Sequence, residues 1–321
     1  MMAMMMTTAE VAAWLKKNDE FLILTHKRPD GDTIGCAGAL AQGLRECGKT
    51  AYVHKNPETT PRYLRLVEQY WMPEGYAPKC VVAVDTASVG LLHESSRKYV
   101  GSIMLSIDHH SSNTLFAERN CLDGGRAACG ELVYEILLSM SGGISAATAC
   151  RLYAAVSTDT GCFLYGNTTA DTLRVASHLI ELGAPHRELN RLLFREKSRG
   201  RMNIETAIYS GLEFHHGGAA AIASITLDML KEAKAVEDDM DDIASLPTFI
   251  EGVSVSVTIR EMGSPDDCRI SVRTSPGFDA AKMCAHFGGG GHPMAAGATA
   301  KATVSEIKEE IVKILAGVFS R

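Results

Sequence analysis

The 321-residue chain lacks any run of roughly 18 consecutive apolar residues, the length a membrane-spanning helix needs. A membrane span is therefore not expected. It also lacks an excess of positive charge: Lys and Arg number 32 against 38 Asp and Glu, a net charge of −6, and the pI is near 6.0. Affinity for long duplex DNA comes mainly from cations neutralising many phosphates, so that partner is excluded, whereas a small anionic ligand met by a few local cations is not. No Cys-x-x-Cys pair occurs among the nine cysteines, an odd number scattered through a chain far longer than disulfide-stapled domains. A reducing, cytoplasmic setting is expected. The Met-rich start, Met1 to Met6, has no basic residue and runs at once into the helix start Thr7-Thr8-Ala9-Glu10, so no secretory leader is read there. Aromatics are sparse at 6%, and Trp14, Trp71 and the tyrosines show no spacing that compels a base-stacking surface, which assigns them to packing. There is no internal repeat.

What is present reads as two α/β domains. The length suits two cores of roughly 100 to 200 residues each. The spacing predicts a helix near Glu10 to Lys17, a strand Phe21 to Leu24, a helix from about Thr33 to Cys47 and a strand Ala51 to Val53. Cys80 to Val84 and Ile103 to Ile107 are short apolar runs bounded by polar residues, as buried parallel strands are. Helices follow over Ala127 to Met140, Ala146 to Ser157, Thr169 to Leu182 and His186 to Phe194. The charged stretch Arg195 to Arg201 is read as the start of a linker over residues 195–212, between a domain at 1–194 and a smaller one at 213–321. In the latter, Ala219 to Thr226, Val253 to Arg260 and Cys268 to Arg273 read as strands, and Leu227 to Ala235, Ala280 to His286 and Val304 to Phe319 as helices.

Candidate chemistry gathers at strand ends. Thr25-His26-Lys27-Arg28-Pro29-Asp30-Gly31-Asp32 follows the first strong strand, Asp85 ends the second apolar run, Asp108-His109-His110 ends the third, and Asp159 closes a helix before Thr160-Gly161. Ligands in open α/β sheets bind at the carboxyl ends of strands, so these groups face one crevice. Singly, Asp-Gly-Asp is a common turn and a strand-end Asp is a common helix cap. Jointly, His26, Asp30, Asp32, Asp85, His109 and Asp159 make a cluster of carboxylates that repel one another unless a cation sits among them. Carboxylates mixed with imidazoles suit Mn²⁺, with Mg²⁺ or Co²⁺ as alternatives. Two such ions sharing Asp85 could trap a hydroxide for attack on a phosphate ester. Cys36 has no assigned base nearby and is read as packing, His215-His216 as strand-end or loop residues, and Asp238 to Asp242 as a solvated helix start lacking EF-hand spacing.

In order and spacing, His26-x-x-Pro29-Asp30-Gly31-Asp32, the lone Asp85, Asp108-His109-His110 and Asp159-Thr160-Gly161 resemble the four motifs of the DHH phosphoesterase family. Gly288-Gly289-Gly290-Gly291-His292-Pro293 resembles the glycine-rich signature of the family's associated C-terminal domain, and the layout is most similar to its stand-alone nano-RNase/pAp phosphatase members. The resemblance implies an N-terminal parallel-sheet domain, a smaller C-terminal α/β domain and an active-site cleft between them. It implies one Mn²⁺ on His26, Asp30 and Asp85 and another on Asp32, Asp85, His109 and Asp159. It also implies catalytic roles for Asp85, His110 and Asp108, with Asp108 orienting His109, and phosphate binding by Arg273, Gly289, Gly290, Gly291 and His292. The implied substrates are short single-stranded RNA and 3′-phosphoadenosine 5′-phosphate, and a homodimer is implied. Rival readings are a cyclic- or linear-dinucleotide phosphodiesterase of the same superfamily and a non-catalytic nucleotide-sensing module. Family members often carry Ala at the place of Thr33 and Ser at the place of Cys36, departures that remove no ligand.

Overall fold

The computed structural model describes residues 3–320; Met1 and Met2 of the Met-rich start and the terminal Arg321 lie outside them. The chain divides between Glu196 and Lys197 into two compact units. No helix among the described residues is long and apolar enough to cross a membrane, and all nine cysteines are free.

The first unit is built on six strands: β1 (Met4–Met5), β2 (Phe21–Leu24), β3 (Ala51–Val53), β4 (Cys80–Val84), β5 (Ile103–Asp108) and β6 (Arg119–Leu122). They form one sheet in the order β1-β6-β5-β4-β2-β3, with every neighbouring pair parallel. Parallel strands need crossover connections, and helices there cover the sheet, so β2 and β4 are buried along their whole length. The helices are α1 (Thr8–Lys17), α2 (Gly31–Glu46), α3 (Pro61–Val67), α4 (Cys129–Ser141), α5 (Ala146–Asp159), α6 (Ala170–Glu181) and α7 (His186–Asn190). From β2 the chain passes to β3 on one side and reaches β4 on the other, which makes the gap between β2 and β4 the point where strand order reverses.

Helix α2 contains four glycines, poor helix formers, yet it is the most deeply buried helix of the unit. Packing resolves the conflict. A Cβ on Gly35 would stand 2.6 Å from the Arg151 carbonyl oxygen and 2.8 Å from the Ala155 Cβ, so α2 and α5 approach backbone to backbone. Ile34, Leu40 and Leu44 on the same helix are fully buried, each contributing roughly 1.5–3 kcal/mol.

The second unit begins with α8 (Arg199–Ser210), followed by β7 (Glu213–His215), β8 (Ala220–Ile225), α9 (Leu227–Ala233), β9 (Val255–Glu261), β10 (Cys268–Thr274), α10 (Ala280–Ala285), β11 (Gly290–His292), β12 (Ala295–Ala300) and α11 (Val304–Phe319). Its sheet runs β11-β12-β10-β9-β8-β7 and is antiparallel except for the β8–β9 pair. The expectation of a linker over residues 195–212 is corrected here. Ser198 accepts the Arg201 amide as an N-cap, and Ile204 and Ile208, four apart on one face, bury against Ala223, Ile225 and Ile243. Asp239 is likewise no solvated residue: it is buried and accepts from the Ser198 hydroxyl and the Val236 amide. His215 ends β7, and His216 stacks on Phe319 at 4.6 Å.

Candidate metal centre

Four local events deliver the candidate donors to the carboxyl edge of the first sheet. The chain leaves β2 through His26, and Asp30 then caps α2 by accepting the Asp32 and Thr33 amides, each at 3.1 Å. Helix α2 thus starts at Gly31, two residues earlier than the spacing predicts, because the cap is Asp30. Asp85 follows β4 with φ of +50°, a left-handed conformation that aspartate tolerates better than most residues. Helix α5 runs two residues further than predicted, to Asp159, and Asp108, His109 and His110 close β5.

The structure brings these side chains together. His26, Asp30 and Asp85 have ligand atoms within 4.8 Å of one another, as do Asp32, His109 and Asp159, and as do Asp85, His109 and His110. Asp85 Oδ2 lies 3.6 Å from His26 Nε2, while its Oδ1 lies 3.5 Å from His109 Nε2 and 3.6 Å from His110 Nδ1, so its two oxygens face different imidazoles. His26 Nε2 is also 3.6 Å from Asp30 Oδ1, and His109 Nε2 is 3.4 Å from Asp159 Oδ2 and 3.9 Å from Asp32 Oδ2.

The chemistry of the donor set fits divalent cations. His26 Nδ1 donates to the Lys27 carbonyl at 2.8 Å and His109 Nδ1 to the Arg126 carbonyl at 3.1 Å. With the proton on Nδ1, each ring turns a bare Nε2 lone pair toward carboxylates, an arrangement that requires either a second proton or a metal. Asp85 Oδ1 is buried with no hydrogen-bond partner among the described residues. Two donors held about 2.1 Å from one ion stand roughly 3 to 3.5 Å apart, close to the separations seen.

Electrostatics agrees. Burial works against the His26 cation, yet Asp30 and Asp85 beside it raise its pKa to about 11. Burial, with Asp85, Asp159 and Asp30 nearby, pushes Asp32 well above the usual carboxylate range. Burial, opposed by the neighbouring His109 and assisted by Asp85 and Asp30, raises Asp159 to about 7. The hydrogen bond that its ring donates to Asp108 raises His110 to about 9. For Asp159 the folded chain holds a proton that the unfolded chain has already lost, so this stabilisation is complete below the ordinary carboxylate pKa and gone above pH 7. The raised imidazoles act in the same direction, their contribution falling as pH rises from the ordinary histidine value toward about 9 and 11. Metal-stripped protein is therefore expected to melt lower at pH 8 than at pH 6 in differential scanning calorimetry. Added Mn²⁺ should raise the melting point with concentration, by about 2.7 kcal/mol of stability at a hundredfold excess over Kd. A melting point indifferent to Mn²⁺ would contradict the metal reading.

Several supporting groups escape sequence reasoning. Asp32 Oδ2 accepts the Cys129 amide at 2.7 Å and its Oδ1 the Gly130 amide at 3.0 Å, so Asp32 caps the start of α4 from 97 residues away. The signal was an uncapped helix: Ala128, at the N-cap, offers no side-chain acceptor. Cys36 is buried as packing requires, and its thiol also donates to Asp32 Oδ1 at 3.2 Å; burial raises the thiol pKa, so it stays protonated. The expectation that Asp108 orients the His109 ring is corrected: that ring is held by the Arg126 carbonyl. Asp108 instead accepts the His110 ring Nδ1 at 2.7 Å, the His109 amide at 2.8 Å and the Asn113 side-chain amide at 2.6 Å. Arg126 is itself fixed by Asp123 and Glu135.

In the second unit, Arg273 on β10 pairs with Ala295 on β12, which pairs in turn with His292 on β11. Directly paired residues share a face, so Arg273 and His292 lie on the same side of the sheet two strands apart. Gly290, Gly291 and His292 are exposed. A Cβ on Gly289 would stand 2.3 Å from the Gly297 carbonyl oxygen, and Gly291 has φ of +146°, so both positions require glycine.

The sequence profile of the DHH family, N-terminal domain, matches residues 20–156, and that of the DHHA1 domain matches residues 209–321. The chain is 34% identical over 285 residues to the bifunctional oligoribonuclease and PAP phosphatase NrnA of Thermus thermophilus, covering 87% of this chain and 83% of that one. It is 27% identical over 286 residues to the protein of the same name from Bacillus subtilis, covering 88% and 89%. Among solved structures, an exopolyphosphatase-related protein from Bacteroides fragilis shares the fold with a TM-score of 0.85 and 22% identity, covering 98% of this chain and 95% of that one.

Proposed function

The chain belongs to the DHH family, and on that premise we propose that it hydrolyses phosphate esters of short oligoribonucleotides and of 3′-phosphoadenosine 5′-phosphate with the help of two divalent metal ions. The observation that carries this reading is the convergence of Asp30, Asp32, Asp85 and Asp159 with two imidazoles whose bare Nε2 atoms face them. The similarity to relatives named for those two activities supports the substrate class.

His26, Asp30 and Asp85 would hold one ion, and Asp32, Asp85, His109 and Asp159 the other, with Mn²⁺ favoured by the mixed oxygen and nitrogen donors. Ions bound there would supply charge neutralisation at the phosphoryl oxygens and a water acidified toward neutrality. The residues do the rest. The Lys27 and Arg126 carbonyls fix which nitrogen of His26 and His109 is bare. Asp108, itself held by Asn113, anchors Nδ1 of His110 and so fixes the ring of the group that would pass a proton to the departing ester oxygen. Arg273, Gly289, Gly290, Gly291 and His292 in the second unit would bind phosphate through a charged fork and close-approaching amides. The nine unpaired cysteines suit a cytoplasmic enzyme.

Asp108→Asn should lower kcat by roughly 10- to 100-fold, the usual effect of losing a group that orients a working imidazole, with bound metal unchanged by elemental analysis. Equal kcat in the variant would remove His110 from the reaction. The reading itself is tested by adding Mn²⁺ to metal-stripped protein and comparing 3′-phosphoadenosine 5′-phosphate, a dinucleotide, a longer RNA, a cyclic dinucleotide and pyrophosphate. Turnover of the first two is expected. Turnover confined to the cyclic dinucleotide would assign a cyclic-dinucleotide phosphodiesterase, and tight binding without turnover a sensing module.

A further inference from the structure

The turn that follows Asp159 contains three successive residues in the left-handed region: Gly161 at φ +55°, Cys162 at +57° and Phe163 at +67°. Two of the three are not glycine, and left-handed residues of that kind rarely occur in sequence because the Cβ crowds the carbonyl that follows. The conformation is held from several sides. The Cys162 amide donates to the Ser157 carbonyl at 2.7 Å and the Tyr165 amide to the Thr160 carbonyl at 3.0 Å. The Phe163 amide donates to the Thr160 hydroxyl at 3.2 Å. The Asn167 side chain donates both to the Asp159 carbonyl at 3.0 Å and to the Ala127 carbonyl at 3.1 Å, tying the far end of the turn back to the metal centre.

This folding has a directional result. Phe163 turns inward and meets Tyr153 edge to face at 6.0 Å. Leu164 is driven outward and is the most exposed large apolar side chain among the described residues, at 85%. The Tyr165 ring, 48% exposed, covers Gly161, where a Cβ would stand 2.4 Å from the ring. No residue from Thr160 to Thr168 is charged. The turn carries no charge of its own, although Arg195 acts electrostatically on Cys162, and it presents an apolar and an aromatic side chain a few residues beyond Asp159 of the Asp/His cluster, which is built to handle anionic oxygen. A ligand that matches both halves has a phosphate at one end and a flat, weakly polar ring at the other.

We propose that Leu164 and Tyr165 form a platform for the nucleobase of the substrate, an inference that rests on the phosphoesterase reading above. The base lies against Leu164 and the Tyr165 ring while its phosphate faces the Asp/His cluster. The platform selects nucleotides over inorganic phosphate chains, which have nothing to place on it. It also reassigns Tyr165 from packing, the role its sequence context suggests.

The test uses Leu164→Ala and Leu164→Asp, at a position exposed enough that neither should disturb folding. The quantity read is the ratio of kcat/KM for a dinucleotide to that for its abasic counterpart, in which one base is replaced by hydrogen. The wild-type ratio should fall roughly tenfold in Leu164→Ala, and further in Leu164→Asp, as expected when a base loses its stacking surface. In parallel, a dinucleotide carrying 2-aminopurine should lose fluorescence on binding metal-stripped wild-type protein and keep it with Leu164→Asp. An unchanged ratio, an equal fall for both substrates, or identical quenching by wild type and variant would overturn the platform. So would a change of oligomeric state in Leu164→Asp with the ratio unmoved, which would make Leu164 a contact between copies. If wild-type protein turns over neither dinucleotide nor abasic compound, the phosphoesterase reading fails, while the fluorescence comparison still decides whether a base binds at Leu164.

Discussion

Asp85→Asn should reduce turnover by a factor on the order of a thousand or more while the protein stays folded. Asparagine is the informative replacement because it adopts the left-handed conformation at φ +50° about as readily as aspartate, whereas alanine would add backbone strain. The substitution removes one charge from the residue whose two oxygens face His26 and His109, and it leaves one of them an amide nitrogen that cannot bind a cation. Several kcal/mol of transition-state stabilisation attributable to bound ions is then lost, which is the stated factor. The measurement is steady-state turnover of a dinucleotide with circular dichroism as the control for folding. Wild-type turnover in this variant would dismantle the shared-carboxylate arrangement. A second expectation accompanies it: calorimetric titration should find one fewer Mn²⁺ bound, or both bound more weakly.

Gly35→Val should strongly destabilise the first unit. Gly35 sits where α2 crosses α5, and the added side chain would meet the Arg151 carbonyl oxygen and the Ala155 backbone, neither of which can rotate away. Overpacking costs typically 1–3 kcal/mol where side chains can shift, so with backbone on the far side a loss of about 3 kcal/mol or more is expected. Urea denaturation reads it directly. Activity should fall with stability, since α2 begins with Asp30 and Asp32 and α5 ends with Asp159; the two helices carry three candidate ligands on the ends they pack together. Stability within 1 kcal/mol of wild type would mean that the helices can separate without cost.

The strands and donors of the first unit were legible because residue type and position coincide there. Phe21 to Leu24, Cys80 to Val84 and Ile103 to Ile107 are apolar runs with a polar side chain at the carboxyl end, and each of those ends delivers a candidate donor. The groups that fix the donors were not legible, because they are backbone atoms. The Arg126 carbonyl on His109 and the Cys129 and Gly130 amides on Asp32 have no residue signature. Only the missing cap at Ala128 hints at the second. In the other unit, the charges of Arg195 to Arg201 hid a helix whose apolar face consists of Ile204 and Ile208, too few to dominate the local pattern. Strands β6 and β12 were missed for a related reason: Arg119–Leu122 is polar, and Ala295–Ala300 is built of small residues that score weakly for any structure.

The all-parallel sheet also governs when the donor cluster comes into being. Among the described residues the first unit has no hairpin, and β1 meets β6 through the pairs Met4–Arg119 and Met5–Asn120, more than a hundred positions apart. Such high contact order makes assembly slow and cooperative. A nascent or unfolded chain offers His26, Asp30 and Asp32 as a local trio, with Asp85, His109 and Asp159 scattered far beyond it. The full set of donors exists only after β4 and β5 have joined β2 and α5 has docked, so ion capture is tied to completion of the fold and an unfinished chain has little to sequester.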